Sequence, residues 1–143
     1  MEAQMLAPAA VLVAWSIFML LWMTAVRLRA LAKLESKASD AKPGARGEDL
    51  NGVLPDEVNW KAHNYTHLTE TPTLFYAVTV IVALLGASGA DVTAAWAYVA
   101  LRIAHSLWQS MVNRIPVRLL LFTLSNLPLI YLAGRALQLA LFQ

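Results

Sequence analysis

Residues 5–26 read MLAPAAVLVAWSIFMLLWMTAV, 22 consecutive positions without a charge. A helix of that length rises about 33 Å, enough to cross the ~30 Å hydrocarbon core of a bilayer. The segment follows Glu2 and runs straight into Arg27 and Arg29, without a basic leader or a small-residue cleavage site. It therefore reads as a retained spanning helix and not as a secretory leader.

The rest of the chain agrees with a membrane setting. Apolar residues make up 59% of 143 positions and charged residues 14%, against ~45–50% apolar usage in a soluble domain; mean hydropathy is +0.55. The net charge of +2 says little as a total, because most charges sit in one segment. There is no cysteine, which excludes disulfides, thiolate metal sites and a cysteine nucleophile.

Read outward from the first span, the chain predicts an all-α integral membrane four-helix bundle forming a single domain, 1–143. Helices are expected over about 5–33, 60–86, 92–114 and 117–141. A polar loop over about 34–58, rich in Lys, Asp, Glu, Gly and Pro, separates the first two. Pro72 lies inside the second helix, where it removes one backbone hydrogen bond that neighbours in a membrane bundle can replace. The short ASGAD turn at 87–91 and the Pro116 turn after the third helix predict antiparallel neighbours. Lys and Arg gather in the first loop (Arg27, Arg29, Lys33, Lys37, Lys42, Arg46, Lys61) and the third (Arg114, Arg118), whereas the second carries only Asp91. Positive loops stay inside, so both termini are expected on the non-cytoplasmic side.

Polar groups are expensive in lipid and turn toward a bundle interior or a wet cavity. Arg102, His105, Gln109 and Asn113 recur at steps of three, four and four, and His63, His67 and Glu70 at four and three, so each set forms one helical stripe. Both stripes lie toward the cytoplasmic half, where Arg27 ends the first helix and Arg118 opens the fourth. These groups have plainer readings as well. Arg27, Arg29 and Arg114 fit interfacial anchors, Arg102 and Glu70 fit a structural ion pair, and His105 fits a satisfied interior histidine. His63, His67 and Glu70 have the spacing of a divalent-metal set, but the surrounding arginines would repel the ion, so no metal is expected. The five tryptophans read as packing and interface belt, and Arg135 as a residue snorkelling to the outer face.

Four segments carry a resemblance: VRLR at 26–29, KAHNYTHLTETP at 61–72, RIAHSLWQSMVNRIPVR at 102–118 and TLSNLP at 123–128. With the long first loop they resemble the membrane-associated proteins in eicosanoid and glutathione metabolism (MAPEG), with an arrangement similar to the family's microsomal prostaglandin E synthase and glutathione transferase branches. The resemblance implies a homotrimer with glutathione bound between subunits near the cytoplasmic face, and a lipophilic electrophile entering from the bilayer. Carried over residue by residue, it implies that Arg118 activates the thiol, while Arg27, Glu70, Arg102 and His105 hold or brace the ligand. His67 and Gln109 occupy further ligand-facing positions, at which the family usually has Asn and Tyr. Leu119 and Phe122 stand where it has Ser and Tyr.

The chemistry implied is modest in energy. A thiol of pKa ~8.5 is mostly protonated at neutral pH, and lowering it by two units needs about 2.7 kcal/mol of differential stabilisation. One partly desolvated guanidinium contact is of that order. The leading expectation is a glutathione-dependent transferase or peroxidase. A non-catalytic or non-glutathione protein of the same fold, binding lipid or a membrane partner, is the alternative, and a metal or proton-relay site on His63, His67, Glu70 and His105 a third. No phosphate-binding glycine loop, nucleic-acid module or serine elbow is present in the sequence, so nucleic acid is not an expected partner.

Overall fold

The computed structural model describes residues 1–34 and 43–142, all of whose regular structure is helical; Lys37 and Lys42 of the basic loop lie outside the described residues. Helix α1 spans Glu2–Lys33. A 3-10 turn at Gly47–Leu50 follows, then α2 (Asp56–Thr69), α3 (Thr71–Gly86), α4 (Gly89–Met111) and α5 (Ile115–Leu141).

The second expected helix is broken in two. Pro72 has no N–H to give to the carbonyl of Leu68, and its ring crowds that carbonyl. The chain breaks at Glu70 (φ −91°, ψ −97°). Hydroxyls brace the chain on either side, as Thr69 Oγ1 donates to the Thr66 carbonyl (2.8 Å) and Thr73 Oγ1 to that of Glu70 (2.6 Å). The turn from α3 to α4 is tight for two reasons. Gly86 takes φ +121°, a region closed to most side chains, and Ser88 with Asp91 forms a capping box at the start of α4.

Helices α3 and α4 each pack against both α1 and α5, and α2 closes against α1 and α4 at one end. The core is thin. Met5, Leu12 and Met19 are the fully buried apolar positions of α1, at steps of seven; they meet Phe75 and Val82 of α3, Tyr98 and Val99 of α4 and Leu132 of α5. Phe75 stacks on Tyr98 with ring centroids 4.3 Å apart.

Outside this core the surface is apolar. Leu6, Val11, Val13, Ile17, Phe18 and Leu21 of α1 are all exposed, as are Leu120, Leu127, Ile130 and Leu137 of α5. Only 11% of the apolar window of α1 and 17% of that of α5 is buried. A helix apolar on every face but buried on one has lipid as its solvent. The paths Glu2–Lys33, Asp56–Gly86 and Ile115–Leu141 are long and apolar enough to cross a membrane, so the chain is an integral membrane protein.

At the turn between α3 and α4, Arg135 is not a snorkelling residue. Its Nε donates to Oδ1 of the fully buried Asp91 (3.2 Å), which also accepts from Tyr131 Oη (3.0 Å), while Oδ2 accepts from Ser88. The pair ties α4 to α5 at the end opposite the long loop. Truncating one partner leaves the other without its counter-charge, a loss of about 1–3 kcal/mol. Arg135→Ala is therefore expected to lower the thermal unfolding midpoint in detergent, whereas Arg114→Ala, exposed at the other end, should leave it within the change of about 0.5 kcal/mol typical of surface substitutions.

Candidate functional site

The polar face of α4 is turned inward. Arg102, His105, Ser106, Gln109 and Ser110 are all buried, and the helices packed around them determine which ones reach a cavity. Arg102 stays inside. Its Nη2 donates to the His67 carbonyl (2.9 Å), and its guanidinium carbon lies 5.8 Å from the centre of the Phe122 ring. Its Nε and Nη1 have no acceptor among the described residues. Ser106 Oγ accepts from both Asn64 Nδ2 (2.7 Å) and Trp15 Nε1 (2.9 Å), joining α1, α2 and α4 through one hydroxyl. Gln109 is buried one turn beyond His105 and lines no cavity described here.

His105 reaches a cavity of about 190 Å³, lined also by His67 of α2 and by Ile115, Arg118, Leu119 and Phe122 of α5. The two imidazoles meet edge to face with centroids 6.0 Å apart, and His105 lies 6.1 Å from the Phe122 ring. Glu70 Oε2 lies 3.3 Å from Nδ1 of His67, an ion-pair contact between two part-exposed side chains. The Arg102–Glu70 ion pair considered from the sequence does not form, since Glu70 turns to His67 and Arg102 to a backbone carbonyl.

Arg118 is held in place by the turn before it. Helix α4 ends with Val112 N and Asn113 N both donating to the Trp108 carbonyl (2.9 and 2.8 Å), and Asn113 adopts φ +53°, a left-handed conformation that Asn tolerates better than most residues. Its side chain then faces the next helix, where Oδ1 accepts from Arg118 Nη1 at 2.7 Å. Trp108 Nε1 donates to the Arg114 carbonyl (3.1 Å), fixing the other side of the turn.

Arg27 lies elsewhere. It lines a second cavity of about 260 Å³ with Arg46, Glu48 and Asn51 of the loop and His63 and Thr66 of α2. The loop folds back over the end of α1, so that Arg27 Nη2 donates to the Gly47 carbonyl (3.1 Å). Asn59 Nδ2 holds the carbonyls of Leu50 and Leu54 (3.2 Å each), and His63 Nε2 lies 3.0 Å from Asn51 Oδ1. A Cβ on Gly47 would stand 2.9 Å from Arg27 Nη1, so a side chain there would shift the end of the Arg27 side chain. Within one chain, then, His67, Glu70, His105 and Arg118 come together with Arg102 behind them, and Arg27 does not join them. The metal set considered from the sequence is divided, with His63 on the loop and His67 on Glu70. Among the described residues no three His, Cys, Asp or Glu side chains are grouped to hold a metal ion.

Sequence reasoning missed the Trp15–Ser106–Asn64 link and the Asn113–Arg118 hold. Ser106 follows directly after His105 and shares the inward face; that was the available signal for the first.

The MAPEG family model matches residues 5–138, nearly the whole described chain, and the protein belongs to the MAPEG family. Members of this family are membrane proteins that commonly use glutathione. Comparison with curated proteins and with solved structures gives no match.

The left-handed turn residue allows a direct check. In Asn113→Ala and Asn113→Gly the Arg118 hydrogen bond is lost alike, but only alanine carries the left-handed backbone penalty of about 1–2 kcal/mol. The alanine variant should unfold at the lower temperature of the two in detergent, and equal midpoints would show that the turn relaxes out of this conformation.

Proposed function

We propose that the protein is a membrane-bound glutathione-dependent transferase or peroxidase acting on a lipophilic electrophile, with glutathione held between copies of a homotrimer near the cytoplasmic face. All four helical paths cross the membrane in this reading, including α4, whose polar residues are turned away from lipid. The Lys and Arg of the first and third loops keep that face cytoplasmic, which leaves both termini on the other side.

The observation that carries the reading is the division of the site. One cavity presents Arg118, His105 and His67, the other Arg27 and Arg46, and both fall below the ~300 Å³ at which small-molecule sites begin. A tripeptide with two carboxylates, an ammonium and a thiol fits neither alone. In this reading the two cavities of adjoining copies act together, and their guanidinium groups take the carboxylates. Gln109 backs the site from inside without lining the cavity. Glutathione supplies the nucleophilic sulfur when bound. Arg118, fixed by Asn113, favours the ionised form of that sulfur by charge, and the exposed apolar rim at Ile115 and Leu119 admits the electrophile from lipid.

A second reading, a family member that binds a lipid or membrane partner without glutathione, is favoured by Leu119 and Phe122, which give the cavity wall no hydroxyl. Titration calorimetry with glutathione on the detergent-solubilised oligomer separates the two. Saturable binding below ~10 mM is expected, because anything weaker than about −2.7 kcal/mol is not a co-substrate site. Arg118→Ala should abolish conjugation while the oligomer elutes unchanged on size exclusion, and undiminished turnover in that variant rejects the assignment. Arg27→Ala should weaken glutathione binding about tenfold, or 1.4 kcal/mol, and Gly47→Ala, which only shifts the end of the Arg27 side chain, should weaken it less.

A further inference from the structure

Resting on that reading, we infer that His67, oriented by Glu70, is the group that accepts the thiol proton. The helix break places the pair. Had α2 continued through Glu70, Pro72 would have met the Leu68 carbonyl; instead the chain turns at Glu70 and its carboxylate lies 3.3 Å from His67 Nδ1. A carboxylate beside Nδ1 favours the neutral tautomer with its hydrogen there and its lone pair on Nε2. The same ring forms part of the wall of the cavity that holds Arg118. An imidazole oriented by a carboxylate and facing a nucleophile's site is the arrangement of a general base.

Of the other wall residues, Leu119, Phe122 and Ile115 have no proton-accepting atom and Arg118 carries a guanidinium with no free lone pair, while His105 is buried and has no carboxylate at ion-pair distance among the described residues, in contrast to His67, whose side chain is 39% exposed. The charges around His67 come from each packed element. Glu70 and His63 lie on its own path, Arg102 and His105 come from α4 and Arg118 from α5, while Arg27 of α1 is turned into the other cavity.

In the step itself, Nε2 of His67 takes the proton as the S–H bond breaks, and the electron pair stays on sulfur beside Arg118. As the C–S bond forms, the pair displaced on the electrophile moves to its leaving group or conjugated acceptor atom. His67 returns the proton there, so no further reactant is needed.

The test uses His67→Asn, Glu70→Gln and the intact protein in detergent, with two readouts. Glutathione added to the intact protein should raise the ultraviolet absorbance of ionised thiol, and conjugation of a lipophilic electrophile should show an acid limb in its pH profile. His67→Asn should keep glutathione affinity within about threefold, lose the absorbance at neutral pH, and lower kcat about 100-fold, within the 10²–10⁴ that general bases contribute, with the acid limb moved toward the alkaline side. Glu70→Gln should fall between the two. Retention of both absorbance and pH profile in His67→Asn would overturn the role of His67 while leaving the glutathione reading intact. Failure of the intact protein to bind glutathione would overturn both. Comparing the unfolding midpoints of the variants separates a local effect from a folding defect.

Discussion

Arg102 sets the terms for the rest of the structure. Its guanidinium is 1% exposed on a helix of a bundle whose outer surface is otherwise apolar, and leaving it in lipid would cost from about 3 to more than 10 kcal/mol. That is comparable to the whole stability of a small domain, so this face of α4 has to be enclosed. Enclosure needs an acceptor, and the break at Glu70 supplies one. Once α2 stops at Thr69, the carbonyl of His67 is outside the helical ladder and is taken by Arg102 Nη2. Pro72, the break and the buried arginine are therefore one arrangement. The break before the proline frees the His67 carbonyl, and the arginine satisfies it where it would otherwise be orphaned in a dry place.

The spans and the polar stripe were legible in the sequence because lipid imposes them directly. An uncharged run of 22 residues has one physical reading, and a 3.6-residue period puts Arg102, His105 and Gln109 on one face whatever surrounds them. Periodicity does not say which of them opens onto space. His105 meets the cavity because α5 passes close by with Phe122 and Leu119, while Gln109, one turn on, sinks into the interior. Pro72 was visible too, but a continuous helix with one missing bond was expected. The threonines at 69 and 73 brace the two sides of the break, one on the Thr66 carbonyl and the other on that of Glu70.

What the sequence concealed depends on long-range returns of the chain. Arg27 closes the first span, at a depth shared with Arg118, but the loop comes back over it and its guanidinium bonds the Gly47 carbonyl across 20 residues. No local pattern announces that contact. Arg135 looked like a residue reaching for water because its buried partner, Asp91, looked like a turn residue. The capping box with Ser88 rotates that carboxylate inward, and only the packed bundle shows that it then meets α5.

The same logic bears on how the proposed chemistry can work in a cavity walled by Leu119 and Phe122. An apolar wall lowers the local dielectric, which strengthens every charge interaction inside and penalises any unpaired charge by a similar amount. A flexible arginine there would gain little, since ordering its side chain costs up to ~2 kcal/mol of rotamer entropy, most of the 2.7 kcal/mol needed to lower a thiol by two units. Arg118 is already ordered, with Nη1 on Asn113 Oδ1 at 2.7 Å. The backbone strain that a left-handed residue carries, small for Asn, is thus incurred on folding and not when the ligand binds. That is how a site without wall hydroxyls can still offer a fixed positive charge, and it makes the turn at Asn113 as much a part of the proposed site as the side chains that line it.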